Sequence, residues 1–199
     1  GGDDTLEGGL GNDSLDGGSG HDTASYEHAS GAVTVFLDDS GGGSSSGADG
    51  NDTLVSIENV TGSAYRDTLV GNSSDNVLTG GGEIDILSAW GGNDTLLAGD
   101  GADYLSGGMG DDIIDGGAGY DRAAYNLGAT TGVTVDLNIQ GAAQNTIGAG
   151  MDTLIGIEDL SGTGFNDILT GDGQNNWIWG GSNGFTTSGN DIIDAGGGD

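Results

Sequence analysis

The sequence predicts an all-β fold, a solenoid of short parallel strands stacked coil upon coil. Three observations predict it. A nine-residue cadence, GGxGxDxUx with U apolar, is first read in GGLGNDSLD and GGSGHDTAS from Gly8 to Ser25 and returns until the chain ends. Gly and Asp crowd the first six places of each repeat, which specifies a turn, and one apolar residue stands two places after the Asp, which specifies a strand of about three residues. Proline is absent, as befits a structure in which nearly every amide is needed for a ladder.

Taken in order, the sixth repeat position is held by Asp4, Asp13, Asp22, Asp52, Asp67, Asp85, Asp94, Asp103, Asp112, Asp121, Asp152, Asp167 and Asp191, with Asn76 and Asn176 in the same place of two further repeats. The apolar position holds Leu6, Leu15, Ala24, Leu54, Leu69, Leu78, Leu87, Leu96, Leu105, Ile114, Ala123, Leu154, Leu169, Ile178 and Ile193. Residues 62 to 124 keep this phase without a break. The glycines let the six turn residues reverse tightly, so two nonapeptides complete one coil of about 18 residues. Coils about 4.8 Å apart make a rod of roughly 40 to 50 Å, with a core of two thin rows of Leu and Ile.

A second period lies over the first. DTLVSIENVTGSAYRDTLVGNSSDNVLTG from Asp52 aligns with DTLIGIEDLSGTGFNDILTGDGQNNWIWG from Asp152 at a constant offset, and DTASYEHASGAVTVFL from Asp22 aligns with DRAAYNLGATTGVTVDL from Asp121 with one residue inserted. The chain therefore reads as a tandem duplication: a first unit over 1–106 with an excursion at about 26–50, and a second over 107–199 with an excursion at about 125–150. Each excursion has an alternating strand (Val33, Val35, Leu37; Val133, Val135, Leu137), then a loop (GGGSSSGADG; GAAQNTIGAG), then a return to the solenoid. The two units form one continuous elongated solenoid. On the repeat, Gly1 falls on the third position and Asp199 on the fifth, so the sequence reads as a segment of a longer chain.

Charge shows what such a chain needs. Its 32 acidic against 2 basic residues give a net charge of −30, while apolar residues are 33% and aromatics 6%, so self-repulsion is set against little hydrophobic burial. The 46 glycines raise the entropy cost of ordering the backbone further. A divalent cation is the economical remedy. Calcium takes roughly six to eight hard oxygen ligands, and a Gly-rich turn ending in Asp offers both carboxylates and backbone carbonyls. One ion per well-formed repeat, about ten in all, would add about +20 and offset most of the deficit.

Other functions find little support. There is no Cys, hence no disulfide or thiolate metal site, and no apolar run of about 18 residues to cross a membrane. Strong acidity disfavours nucleic acid and anionic membranes as partners. HExxH and GxSxG are absent, and the histidines are His21 in a turn and His28 in an excursion, so the segment reads as non-enzymatic. Asn-x-Ser/Thr words at Asn12, Asn51 and Asn93 are by-products of the turn. The third repeat position carries no row of Thr that an ice-binding face would need. Trp90, Trp177, Trp179, Tyr26 and Tyr125 are read as packing over the solenoid.

The in-phase GGxGxDxUx copies resemble the RTX calcium-binding repeats of secreted bacterial proteins, and the resemblance covers nearly the whole chain. It implies a right-handed parallel β-roll in which Asp carboxylates and turn carbonyls from successive coils share Ca²⁺ ions, with export through a type I channel as an unfolded polypeptide and folding outside the cell. The implied metal ligands are the thirteen Asp side chains at the sixth position, with the turn backbone of Gly9, Gly11, Gly18, Gly20, Gly92, Gly99, Gly101, Gly108, Gly110, Gly117 and Gly119. The best sites are expected around Asp13, Asp22, Asp94, Asp103, Asp112 and Asp121. Weaker ones are expected at Asp67, where Tyr65 replaces the fourth-position Gly, and at Asp85, where Glu83 does. Asn76 and Asn176 keep an oxygen without the charge, and an insertion before Asp191 disturbs the last site.

The expected function is a calcium-binding module that folds on Ca²⁺ outside the cell and serves as a structural, spacer or assembly element of a surface protein of adhesin, S-layer or filament type. The alternative is a stabilising appendage of an exported hydrolase. Expected partners are calcium, further copies of the roll bridged through their acidic files, and neighbouring domains of the same chain.

Overall fold

The structure, a computed structural model, describes residues 1–181 and 189–198. Strands alternate between two sheets as the chain winds. One sheet runs β1 (Thr5–Leu6), β3 (Thr23–Ser25), β7 (Asn59–Thr61), β9 (Val77–Gly82), β11 (Thr95–Gly101), β13 (Ile113–Gly119), β17 (Met151–Ile155) and β16 (Gln144–Asn145). The other runs β2 (Ser14–Asp16), β6 (Thr53–Val55), β5 (Gly42–Gly47), β4 (Val33–Leu37), β8 (Thr68–Val70), β10 (Ile86–Ser88), β12 (Tyr104–Ser106), β14 (Arg122–Ala124), β18 (Asp159–Ser161) and β20 (Ile178–Trp179). A third, short sheet contains β15 (Thr134–Asp136), β19 (Ile168–Thr170) and β21 (Ile192–Asp194). Among the described residues the one helical element is a 3-10 turn at Leu137–Ile139.

The nonapeptide strands pair in parallel with their counterparts two repeats on, as Ile86 with Tyr104 and Tyr104 with Arg122, or Thr95 with Ile113. Because side chains alternate along a strand, a three-residue strand points its middle residue inward. That residue is the predicted apolar position: Leu69, Leu78, Leu87, Leu96, Leu105, Leu154 and Leu169 are fully buried, in rows that leave room for little else. A parallel β-roll is the fold, as the repeat predicts.

The excursions depart from expectation. The segment predicted as the loop GGGSSSGADG instead supplies β5, which lies antiparallel between β4 and β6 and carries the sheet across the gap to β8. Gly and Ser are poor strand formers, but the place demands small residues: a Cβ on Gly43 would run into the Phe36 carbonyl, and one on Gly47 into the Ala32 carbonyl. Context overrides propensity, because an unpaired ladder inside a sheet costs more than a glycine in a strand. In the second copy β16 is only two residues long, and side-chain amides substitute for backbone. Gln144 accepts from Asp136 N and donates to Asp136 O, and Gln140 does the same to Ile157.

The aromatic expectation divides. Tyr26 and Tyr125 are buried, but Trp90, Trp177 and Trp179 are 50%, 67% and 52% exposed and do not cover the roll. Trp177 and Trp179 flank the inward Ile178 and so point outward; the Arg122 guanidinium lies 4.6 Å from the Trp177 ring. Trp90 sits at the second turn position with φ 77°, a place otherwise suited to glycine.

Truncating Leu87, fully buried in the middle of its row, should lower the stability of calcium-saturated protein by about 2–5 kcal/mol. Leu97→Ala, on the outer face of β11, should change it by about 0.5 kcal/mol or less. Denaturant unfolding of both variants against the parent checks this.

Candidate metal centre

The sixth-position residues end turns at or beside the start of a strand, so coil stacking lines them up in files. Within a file, one carboxylate oxygen closes a regular bond: Oδ1 accepts the backbone N–H of the residue at the same turn position one coil earlier. Asp22 takes Asp4 N, Asp85 takes Asp67 N, Asp94 takes Asn76 N, Asp103 takes Asp85 N, Asp112 takes Asp94 N and Asp121 takes Asp103 N, at 2.7–2.9 Å. Across the excursions Asp52 takes Asp13 N, Asp152 takes Asp112 N, and Asp67 and Asp167 take Val33 N and Val133 N. Asp191 accepts from Asp167 N at 3.1 Å and so keeps the file; the insertion before it lies largely in 182–188, outside the described residues. Asp4 is exposed at the start of its file.

The second carboxylate oxygen divides the thirteen into groups. Oδ2 of Asp13, Asp22, Asp85, Asp94, Asp103, Asp112 and Asp121 is buried with no hydrogen-bond partner. The first-position glycine makes room for it: a Cβ on Gly80 would lie closer than 3 Å to both Asp85 Oδ2 and the Ala98 carbonyl, and one on Gly107 would meet Asp112 Oδ2. Ten of the predicted turn glycines, Gly9, Gly11, Gly18, Gly20, Gly92, Gly99, Gly108, Gly110, Gly117 and Gly119, have φ between 77° and 157°. Gly101 lies outside that region, yet a Cβ there would run into the Glu83 carbonyl.

Four carboxylates find protein donors instead. Asp52 Oδ2 accepts from Tyr26 and Ser45 hydroxyls, and Asp152 Oδ2 from the Thr146 hydroxyl. Asp67 is closed by the Ser63 amide and hydroxyl, and Asp167 by those of Thr163. The amides of Asn76 and Asn176 donate to the carbonyls of Glu58 and Glu158. Asp85, ranked among the weaker sites from its sequence, falls with the unpartnered group. Asp94 and Asp103 do so as well, although Ala89 and Ala98 replace the first glycine of their turns.

Sequence reasoning missed two members of the files. Glu58 Oε2 accepts Asp22 N, and Glu158 Oε2 accepts Asp121 N, each where another coil would place an Asp. The signal was present, since Glu58-Asn59-Val60 and Glu158-Asp159-Leu160 keep the acid-x-apolar spacing.

Burial pushes the Asp94 carboxyl up to about 8, Asp85 and Asp112 to about 7, and Asp121 and Asp152 to about 6, only partly offset by the N–H each accepts; neighbouring carboxylates add to the rise. Burial also raises Asp103. Among the described residues no three acidic or histidine side chains converge on one point. An ion here would accordingly take most of its roughly six to eight oxygens from turn carbonyls, with the unpartnered Oδ2 atoms supplying the charge. A hard divalent cation fits this set: oxygen donors only, anionic, buried and short of hydrogen-bond donors.

The profile of the RTX calcium-binding nonapeptide repeat, in four copies, matches residues 1–24, 57–87, 91–123, 152–183 and 185–199, more than half the chain. Comparison with curated proteins gave no match.

The raised carboxyls fix a pH dependence for the metal-free protein. Their folded values exceed the unfolded value of about 3.9, so the fold binds more protons than the open chain. Stability is then greatest below the unfolded value and falls as pH rises through about 6 to 8. In chelator, far-UV circular dichroism should show β-structure gained on acidification from pH 8 to 5, and saturating calcium should abolish most of that dependence.

Proposed function

The chain belongs to the family of the RTX calcium-binding nonapeptide repeat, a calcium-binding structural module, and from that premise we propose that it is the calcium-triggered folding element and spacer of a secreted bacterial surface protein. The observation that carries this reading is the set of seven buried Oδ2 atoms without a hydrogen-bond donor. Without a cation the closed roll holds like charges one coil apart in low dielectric, and the chain at −30 is driven open. With calcium, Asp13, Asp22, Asp85, Asp94, Asp103, Asp112 and Asp121 hold ions together with turn carbonyls, and binding free energy becomes folding free energy.

The setting follows from affinity. Extracellular calcium modules bind at about 10⁻⁴ to 10⁻³ M. Such a chain stays open at the sub-micromolar calcium of a cell interior, which suits passage through a narrow export channel, and closes outside. The closed roll, with ten strands in its longer sheet, spans about 45 Å at the ordinary strand spacing. That makes it a spacer that stiffens only at its destination.

Calcium titration of metal-free protein, followed by far-UV circular dichroism with magnesium as control, should give a cooperative coil-to-β transition with calcium alone. Stable β-structure at neutral pH in chelator would sink the reading. Single substitutions refine the assignment. Asp103→Asn should raise the calcium midpoint by roughly tenfold, as loss of a metal-site group does. Asp67→Asn, whose turn Ser63 closes, should leave the number of bound ions unchanged in native mass spectrometry.

A further inference from the structure

We propose that the return segments of the two excursions, around residues 55–60 and 155–160, each complete a calcium site outside the nonapeptide pattern, in which Glu58 or Glu158 takes the place of the Asp. The proposal rests on the calcium-binding reading above and gives the Asp22 and Asp121 sites a second carboxylate that the repeat does not encode.

The first observation is an unsatisfied acid. Asp22 and Asp121 are fully buried, and their Oδ2 atoms have no partner. The second is the oxygen beside each. A Cβ on Gly17 would lie closer than 3 Å to both Asp22 Oδ2 and the Ser56 carbonyl, and one on Gly116 would lie closer than 3 Å to both Asp121 Oδ2 and the Gly156 carbonyl. Ser56 and Gly156 stand at φ 51° and 58°, so the segment turns sharply at the same point in both copies, although only one of them is a glycine. The third is the carboxylate itself. Glu58 Oε2 is fixed by Asp22 N at 2.9 Å and Glu158 Oε2 by Asp121 N at 2.8 Å, which holds each acid beside the residue whose Oδ2 is unsatisfied.

Among the described residues no cation pairs with Asp121 or Glu158. Arg122, next to Asp121, is engaged with Asp159 at 3.1 Å and with the Trp177 ring. Two carboxylates and a carbonyl are thus neighbours at each return, anionic and oxygen-only, which is the donor chemistry of a hard divalent ion. Glu is one methylene longer than Asp. This suits a place where the chain re-enters the roll from an excursion instead of from a nine-residue turn. The same three-group arrangement recurs in both copies, on opposite sheets, as β7 and β18 show.

The test substitutes both acids, Glu58→Gln and Glu158→Gln, since Gln keeps an acceptor for Asp22 N and Asp121 N and removes only the charge. Native mass spectrometry at saturating calcium should count two ions fewer than in the parent, with the β-signal retained; an unchanged count and midpoint would overturn the proposal. Anomalous scattering from crystals of the calcium-loaded parent decides the matter even if the double variant does not fold. Peaks between Asp22 and Glu58 and between Asp121 and Glu158 are expected. Their absence, with peaks present along Asp85 to Asp112, would refute these two sites alone. An absence of calcium everywhere would instead refute the function they rest on.

Discussion

The fold turns on a carboxylate that is only half satisfied. In the coils from Asp85 to Asp121 each Asp uses one oxygen to cap the amide of the coil before it, and that bond sets the register of the stack. The same bond drags the second oxygen into the interior, where no protein group meets it. An unpaired buried carboxylate costs several kcal/mol or protonates, and burial raises Asp85 and Asp94 in the direction of the second course. One geometry therefore supplies both the order and the need for a counter-ion. The acid cannot be replaced by an apolar residue without losing the cap, and an amide that kept the cap would lose the charge that draws the ion.

The hydrophobic core cannot carry this burden. Each coil contributes two inward apolar residues, and in places these are alanines, as at Ala24 and Ala123. Stacking such coils gives stability only as a sum of small neighbour terms, while a Gly-rich chain loses unusual conformational entropy on closing. The outward face adds nothing, since Val77, Leu97 and Ile113 stay partly in water. Turn chemistry decides whether the chain is a rod or a coil.

Most of the roll was legible because its rule is local. Nine residues fix turn, acid and inward apolar position, so phase alone places Leu87 or Asp103. What was illegible depends on residues far apart in the chain. Nothing in GGGSSSG announces a strand; β5 exists because β4 and β6 leave a ladder that only small residues can fill. The Ser45 and Thr146 hydroxyls that close Asp52 and Asp152 come from the excursions and have no place in the repeat. Ser63 and Thr163, by contrast, stand at the second repeat position where Gly is usual, and a reading that asked what a hydroxyl does there would have found their closures. Glu58 and Glu158 escaped because the register was set on Asp alone.

The two kinds of turn are not scattered. Hydroxyl-closed and amide-closed turns, at Asp52, Asp67, Asn76 and again at Asp152, Asp167, Asn176, gather on the returns from the two excursions; the donor-poor carboxylates from Asp85 to Asp121 fill the stretch between. An odd number of nonapeptide steps separates the copies, so corresponding strands such as β7 and β18 fall on opposite sheets and each excursion is spliced into a different face. Each excursion is knitted largely by ordinary hydrogen bonds, with the proposed Glu58 and Glu158 sites at the point of return. The five donor-poor acids between them are what join one knitted end to the other. Seen this way, the need for an ion is not spread evenly along the rod: apart from Asp13 and Asp22, which precede the first excursion, it is concentrated in the central block that links two pieces closed largely by hydrogen bonds.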